Sequence, residues 1–218
     1  MTMTAIQIQN VSKSYKGHSI LSDVSFEVAA GSSVGLIGSN GCGKSVLMQI
    51  IAGLIKADQG AVHVQGKQIG KDLDYPANTG ILINGPAFIP YYSARKNLSL
   101  LAAYKKQLSK ADIDAIIMKV GLDPKARKGV GKYSTGMKAR LGIAQAIMED
   151  PEILLLDEPF NGLDRAGVED MYRILLELKR SGKTIILTSH VKENIDTLCD
   201  TVFELEGGKA KLMQQQSR

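Results

Sequence analysis

Apolar and polar residues alternate along two early segments, Ile6 to Val11 and Ile20 to Val28, bounded by Gly17 and Gly31. A period of two predicts half-buried strands. Val34 to Ile37 carries no polar side chain, as expected of a parallel strand buried on both faces. A helical pattern, Lys44 to Ile55, follows and stops near Gly53 and Lys56. Ala61 to Val64 and Gly80 to Ile83 again predict strands. From Arg95 to Val120 the period becomes helical: Leu98, Leu101, Leu108, Ile113, Ile116, Ile117 and Val120 recur at helix-like spacings, with Ser109 as a cap before Asp112. Gly121, Pro124 and Gly129 punctuate the next stretch. A helix starting after Ser134 carries Leu141, Ile143, Ala144 and Ile147 inward, and Pro151 ends it. Strand Ile153 to Leu156, helix Ala166 to Arg180, strand Thr184 to Thr188 and helix Val191 to Leu198 then alternate, which argues for a parallel sheet. A hairpin, Thr201 to Leu212, turns at Gly207-Gly208 and closes the pattern, and Gln214 to Arg218 reads as disordered.

At 218 residues the chain suits one large domain, or one domain with an inserted subdomain. No apolar run approaches the roughly 20 residues of a membrane span. The N-terminus lacks the basic start and apolar core of a secretion signal, so a cytoplasmic location is expected. Cys42 and Cys199 give neither a disulfide framework nor metal-ligand spacing. The net charge of +5 is mild, and the lysines are dispersed among acidic neighbours. That is the texture of a solvated face, and no aromatic residues interleave with basic ones, so no nucleic-acid partner is expected.

Candidate chemistry concentrates at strand ends. Gly38-Ser39-Asn40-Gly41-Cys42-Gly43-Lys44-Ser45 follows an apolar strand and opens a helix. In that context the spacing predicts a phosphate cradle. The glycines let backbone N–H groups converge on phosphate oxygens, and the helix adds its positive dipole end. Lys44 reaches the β- and γ-phosphates, and Ser45 holds Mg²⁺. Asp157 and Glu158 end the strand Ile153 to Leu156, where ligands gather in a parallel sheet. Asp157 is a candidate Mg²⁺ ligand and Glu158 a candidate general base. A strand ending in two solvated acids is the competing reading. His190 ends the strand that precedes it and is either a packing or capping residue or a hydrogen-bond donor to a γ-phosphate.

Tyr133-Ser134-Thr135-Gly136-Met137, followed by Lys138-Ala-Arg140-Leu-Gly-Ile-Ala, is in isolation a capped helix start. With the other motifs it resembles the signature sequence of ATP-binding cassette (ABC) ATPases, usually Leu-Ser-Gly-Gly-Gln. Ser134 and Gly136 match. Tyr-Ser-x-Gly-Met looks like the variant in bacterial exporters of drugs and antimicrobial peptides, including bacitracin- and lantibiotic-immunity ATPases. The resemblance covers essentially the whole chain, residues 1–218, in the family's order. It implies that Tyr15 stacks on adenine, that Asn161-Gly-Leu-Asp164 contacts the opposite subunit, and that His190 is the switch histidine. It also implies that Ser134 and Gly136 of one subunit cover the ATP held by the phosphate loop of the other, in a head-to-tail homodimer. Where the family has a glutamine after the strand Ile81-Leu82-Ile83, this chain has Asn84, one methylene shorter, a candidate Mg²⁺ ligand directly or through water. Thr135 adds bulk where the family has glycine.

The expected fold is α/β: a P-loop NTPase parallel-sheet core with an antiparallel β portion and an inserted helical subdomain at about residues 85 to 140. The expected function is ATP hydrolysis, with Mg²⁺, in an ATPase subunit that powers export through a separate membrane permease. Such a subunit sits peripherally on the inner face of the cell membrane. Pro86-Ala-Phe88-Ile89-Pro90-Tyr91-Tyr92 is expected either to meet the permease or to pack inside the helical subdomain. The alternative function is a soluble ATP-driven clamp in translation, repair or cluster assembly.

Overall fold

The computed structural model describes residues 3–105 and 108–215. Two sheets organise it. An antiparallel sheet has the order β2-β1-β4-β5, built from β1 (Thr4–Tyr15), β2 (His18–Ala29), β4 (Gln59–Val64) and the two-residue β5 (Lys67–Gln68). The alternation in β1 buries Ile6, Ile8 and Val11 on one face, with register shifts around Asn10 that turn the strand. β1 and β2 are joined through Lys16 and Gly17, at φ 49° and 81°. Two successive left-handed residues match the twist of the flanking strands.

The second sheet has the order β10-β9-β3-β8-β7-β6. Its strands are β3 (Ser33–Ile37), β6 (Thr79–Leu82), β7 (Ile153–Leu156), β8 (Thr184–Thr188), β9 (Thr201–Glu206) and β10 (Lys209–Gln215). All neighbours from β9 to β6 are parallel, and only β9–β10 is antiparallel. Both faces of the parallel strands are covered, which is why β7 has no polar position. Leu154 and Leu156 point into one core cluster, shared with the helices that follow β6, and Ile153 and Leu155 into the other, shared with the helix after β3 and the antiparallel sheet. Each such side chain contributes about 1.5–3 kcal/mol by leaving water.

Helices α1 (Lys44–Ile51), α2 (Ala94–Lys105), α3 (Lys110–Lys119), α4 (Thr135–Ile147), α5 (Arg165–Arg180) and α6 (Lys192–Leu198) complete the fold. Two sequence expectations need correction. α1 ends at Ile51 rather than Ile55, because Gly53 takes a left-handed φ of 73° and a side chain there would meet the Asp74 carbonyl at 2.2 Å. The helical pattern from Arg95 to Val120 falls into α2 and α3, with Ser109 capping α3 as its position before Asp112 predicts: its hydroxyl accepts from the Asp112 amide at 3.2 Å while the Asp112 carboxylate accepts from the Ser109 amide at 2.8 Å. Gln214 and Gln215 belong to β10, paired with Val202 and Thr201, and residues 216–218 lie outside the described residues. β5 and a 3-10 turn at Val130–Lys132 were too short to leave a period.

Between β6 and β7 the chain supplies α2, α3 and α4. α4 lies so close to β6 that a side chain at Gly80 would meet the Ala146 carbonyl at 1.9 Å. The order β3-β8-β7 brings the ends of the phosphate-loop strand, the His190 strand and the Asp157 strand to one edge.

Candidate nucleotide site

The loop after β3 needs residues without side chains. Gly38, Gly41 and Gly43 have φ of 144°, 81° and 109°, and a Cβ at Gly38 would sit 2.4 Å from the Leu205 carbonyl. α1 then begins from Gly43 with no side-chain cap and no acid in its first turn. Its positive end is thereby left to an anion. The Lys44 ammonium is buried and donates to the Gly38 and Ser39 carbonyls at 2.7 and 3.2 Å, which holds it along the inside of the loop. The Cys42 sulfur occupies the interior of the same loop, 2.7 Å from where a Gly38 side chain would begin.

The two acids are held differently. β7 and β8 run in register, Leu156 opposite Leu187, so Asp157 follows beside Thr188. The buried Thr188 hydroxyl donates to Asp157 Oδ1 at 2.7 Å and accepts from the Glu158 amide at 2.9 Å. Glu158 turns there at a left-handed φ of 50°, and its Oε2 lies 2.9 Å from His190 Nδ1. Glu158 is mostly covered while His190 is half exposed, so the pair opens to solvent on the histidine side.

One cavity of about 250 Å³ is lined by Tyr15, Asn40, Gly41, Gly43, Lys44, Ser45, Asp157 and Glu158. A second, of about 420 Å³, lies against Gly38, Ser39, Asn40 and His190. The Tyr15 ring is largely exposed, with the Lys13 ammonium 5.3 Å from its centroid. The structure therefore gathers the phosphate loop, the acids, His190 and Tyr15. Cys42, Asn84, Ser134 and Gly136 line neither cavity. Asn84 is exposed at φ 58°, and its backbone N–H, rather than its side chain, approaches Asp157 Oδ2 at a long 3.5 Å. Ser134 caps α4 by accepting from the Met137 amide at 3.2 Å. Gly136 faces the Gly162 carbonyl, 2.9 Å from where a Cβ would lie, and Gly162 leaves room for the Thr135 methyl. The extra bulk of Thr135 is thus met inside the same chain.

Ser45 and Asp157 put a hydroxyl and a carboxylate on one cavity wall. Those hard oxygen donors fit Mg²⁺, which takes one or two protein ligands and completes its shell with phosphate and water. Among the described residues no cluster of His, Cys, Asp and Glu gathers as a metal cage.

Two groups of residues escaped the sequence reading. One is Thr188. The other is a buried chain in which the Tyr172 hydroxyl donates to Asn194 Oδ1 at 2.6 Å and Asn194 Nδ2 donates to Ser189 Oγ at 3.3 Å, directly before His190. The available signal was polarity where it is costly: Thr188-Ser189 continues an otherwise apolar strand.

The sequence profile of the family described as ABC transporter matches residues 21–161. The chain belongs to the ABC transporter family. Within it, the chain is of the ATP-binding, ATPase class. It is 41% identical to the uncharacterized ABC transporter ATP-binding protein YybJ of Bacillus subtilis, over 96% of each chain. It is 34% identical to the lantibiotic transport ATP-binding protein SrtF of Streptococcus pyogenes, over 96% of this chain and 90% of that one. Its fold matches the dimeric structure of MJ0796, a bacterial ABC transporter cassette, with a TM-score of 0.87 and 23% identity over 98% of this chain and 100% of that one. The P-loop α/β fold of this ABC ATPase is thus established. Among the described residues no helix is long and apolar enough to cross a membrane.

Proposed function

We propose that this chain is the ATP-hydrolysing subunit of a bacterial exporter, working as a homodimer against a separate membrane permease. The observation that carries the reading is the shared cavity in which Lys44 and Ser45 meet Asp157 and Glu158. ATP binds with adenine on Tyr15 and its phosphates in the loop Gly38 to Ser45. Lys44 exchanges its loop carbonyls for β- and γ-phosphate oxygens, and Ser45 and Asp157 would hold Mg²⁺, which would supply positive charge against that of the phosphates. Glu158 accepts a hydrogen bond from the attacking water and orients it in line with the γ-phosphorus. His190, held at Glu158, reaches the γ-phosphate from the other side of the loop.

Ser134 and Gly136 stand apart from their own chain's cavities, which supports a site completed by the other subunit. There the Thr135 and Gly136 amides, at the start of α4 ahead of the Met137 amide that Ser134 caps, approach the exposed γ-phosphate. The backing of that segment by Gly162 joins the two parts of the dimer surface. We assign residues of about 85 to 140 to a helical subdomain that presents this segment. Asn84 would act on Mg²⁺ through water.

The permease reading rests on exposed apolar side chains. Phe88 packs into the core, but Ile89 and Tyr91 face solvent beside it. A groove of about 550 Å³ between β6, α2 and α4 adds the exposed Leu101 and Tyr104. A segment of the membrane subunit would cover these residues and place the chain on the inner membrane face. A peptide antibiotic as cargo is supported by the relation to SrtF.

The test is to express tagged Glu158→Gln protein in its native cell and solubilise membranes gently with Mg-ATP. Near-stoichiometric recovery of a multi-span membrane protein is expected. Recovery only from the soluble fraction, with ribosomal, nucleic-acid or assembly proteins, would overturn the exporter reading in favour of a soluble clamp and leave the ATPase chemistry standing.

A further inference from the structure

β8 is apolar through Ile185-Ile186-Leu187 and then turns polar at Thr188, whose side chain is fully buried. A buried hydroxyl costs free energy unless its donor and an acceptor lone pair are both used. Both are used here, on consecutive residues of the neighbouring strand. The single O–H is spent on Asp157 Oδ1 at 2.7 Å, and the oxygen receives the Glu158 N–H at 2.9 Å.

We infer that Thr188 is a positioning residue for ATP hydrolysis, setting Asp157 and Glu158 at fixed and different orientations. The inference rests on the assignment of Glu158 as the base.

Two adjacent carboxylates of like charge would otherwise relax independently at the end of β7. With Oδ1 held by Thr188 and Oδ2 3.5 Å from the Asn84 N–H, the Asp157 carboxylate is restrained at both oxygens on the cavity that Ser45 also lines. The second effect is on the backbone. Glu158 sits at φ 50°, a conformation that is strained for a non-glycine residue. The hydrogen bond from its amide to Thr188 opposes relaxation of that turn. From that turn the Glu158 side chain reaches His190, with Oε2 2.9 Å from Nδ1. One hydroxyl therefore separates the tasks of the two acids. β8 is suited to this because it lies between the phosphate-loop strand and the acid strand.

Thr188→Val keeps the shape and removes the hydroxyl, and Thr188→Ser keeps the hydroxyl. The full-length chain is purified in each form and in the Glu158→Gln form. Steady-state ATPase is measured against MgCl2, ATP binding is measured in EDTA, and amide exchange is followed in the peptide containing Glu158. For Thr188→Val we expect kcat to fall about 10- to 100-fold, as when other residues that orient a metal ligand are removed. The MgCl2 requirement should rise, ATP binding in EDTA should stay within about twofold of wild type, and exchange at Glu158 should speed up. Thr188→Ser should stay near wild type in all three. Wild-type kcat, MgCl2 dependence and exchange in Thr188→Val overturn the inference while the Glu158→Gln loss stands. Equal losses in the Val and Ser variants also overturn it, since keeping the hydroxyl then gives no protection. If Thr188→Val does not fold, Thr188→Ala gives the same readouts. Wild-type turnover in Glu158→Gln would instead remove the reading of the site itself.

Discussion

Burial pushes the Cys199 thiol up to about 12 and leaves it 1% exposed, whereas Cys42 is half-buried in the phosphate loop. The thiolate is the reactive form, so the two cysteines should separate cleanly. Iodoacetamide at pH 8 is expected to label Cys42 in the folded protein and to reach Cys199 only after unfolding, read by peptide mass spectrometry. Equal labelling of both would contradict the packing around β3 and α6. The residues of the phosphate loop were legible in the sequence because phosphate binding demands a fixed spacing of glycines and a lysine. Asp157 and Glu158 were legible because a wholly apolar strand ended on them. Thr188 was not, since nothing local announces which neighbour a buried hydroxyl will meet across a sheet. Asn84 was named for its side chain, yet its backbone makes the approach to Asp157. Sequence position cannot resolve that difference.

Asp200 shows how elements are tied together. It precedes β9, pairs with Lys179 near the end of α5 at 2.8 Å, and accepts from the Ser33 amide that opens β3 at 2.9 Å. Burial pushes its carboxyl up, but the Lys179 ammonium and the Ser33 donors outweigh this and hold it below its ordinary value of 3.8. A group lowered in the fold stabilises the protein above its unfolded value and loses that contribution as pH falls through the folded one. Asp200→Asn is therefore expected to cost about 1–3 kcal/mol at pH 7. The difference from wild type should shrink below pH 3.8 in urea unfolding. A gap that stayed constant with pH would contradict the role of its charge. At this scale the sequence was most informative where both faces are buried: β7 and β8 run over the residues the apolar runs predicted. It was least informative where packing overrides period, as at the end of α1, stopped by the close approach of Asp74 to Gly53.

For the whole molecule, the two core clusters meet across the central sheet, and the loops that carry chemistry leave it at one edge. The alternation of strands and helices made that parallel sheet legible, and the change of period marked the helices α2 to α4 between β6 and β7. The separation of Ser134 and Gly136 from the cavities of their own chain could be read only through the family resemblance, because a second copy of the chain leaves no local pattern. The central claim is that this chain hydrolyses ATP at a site built from Lys44, Asp157 and Glu158 and closed by a second copy. It is tested most directly by light scattering and turnover on purified wild-type, Glu158→Gln and Glu158→Gln/Lys44→Ala proteins with Mg-ATP. Glu158→Gln should lose at least about 100-fold in turnover, consistent with removal of a positioned general base, and should accumulate as a dimer. The added Lys44→Ala should return it to monomer. Wild-type turnover in Glu158→Gln, or a dimer indifferent to ATP and to Lys44, would contradict the account.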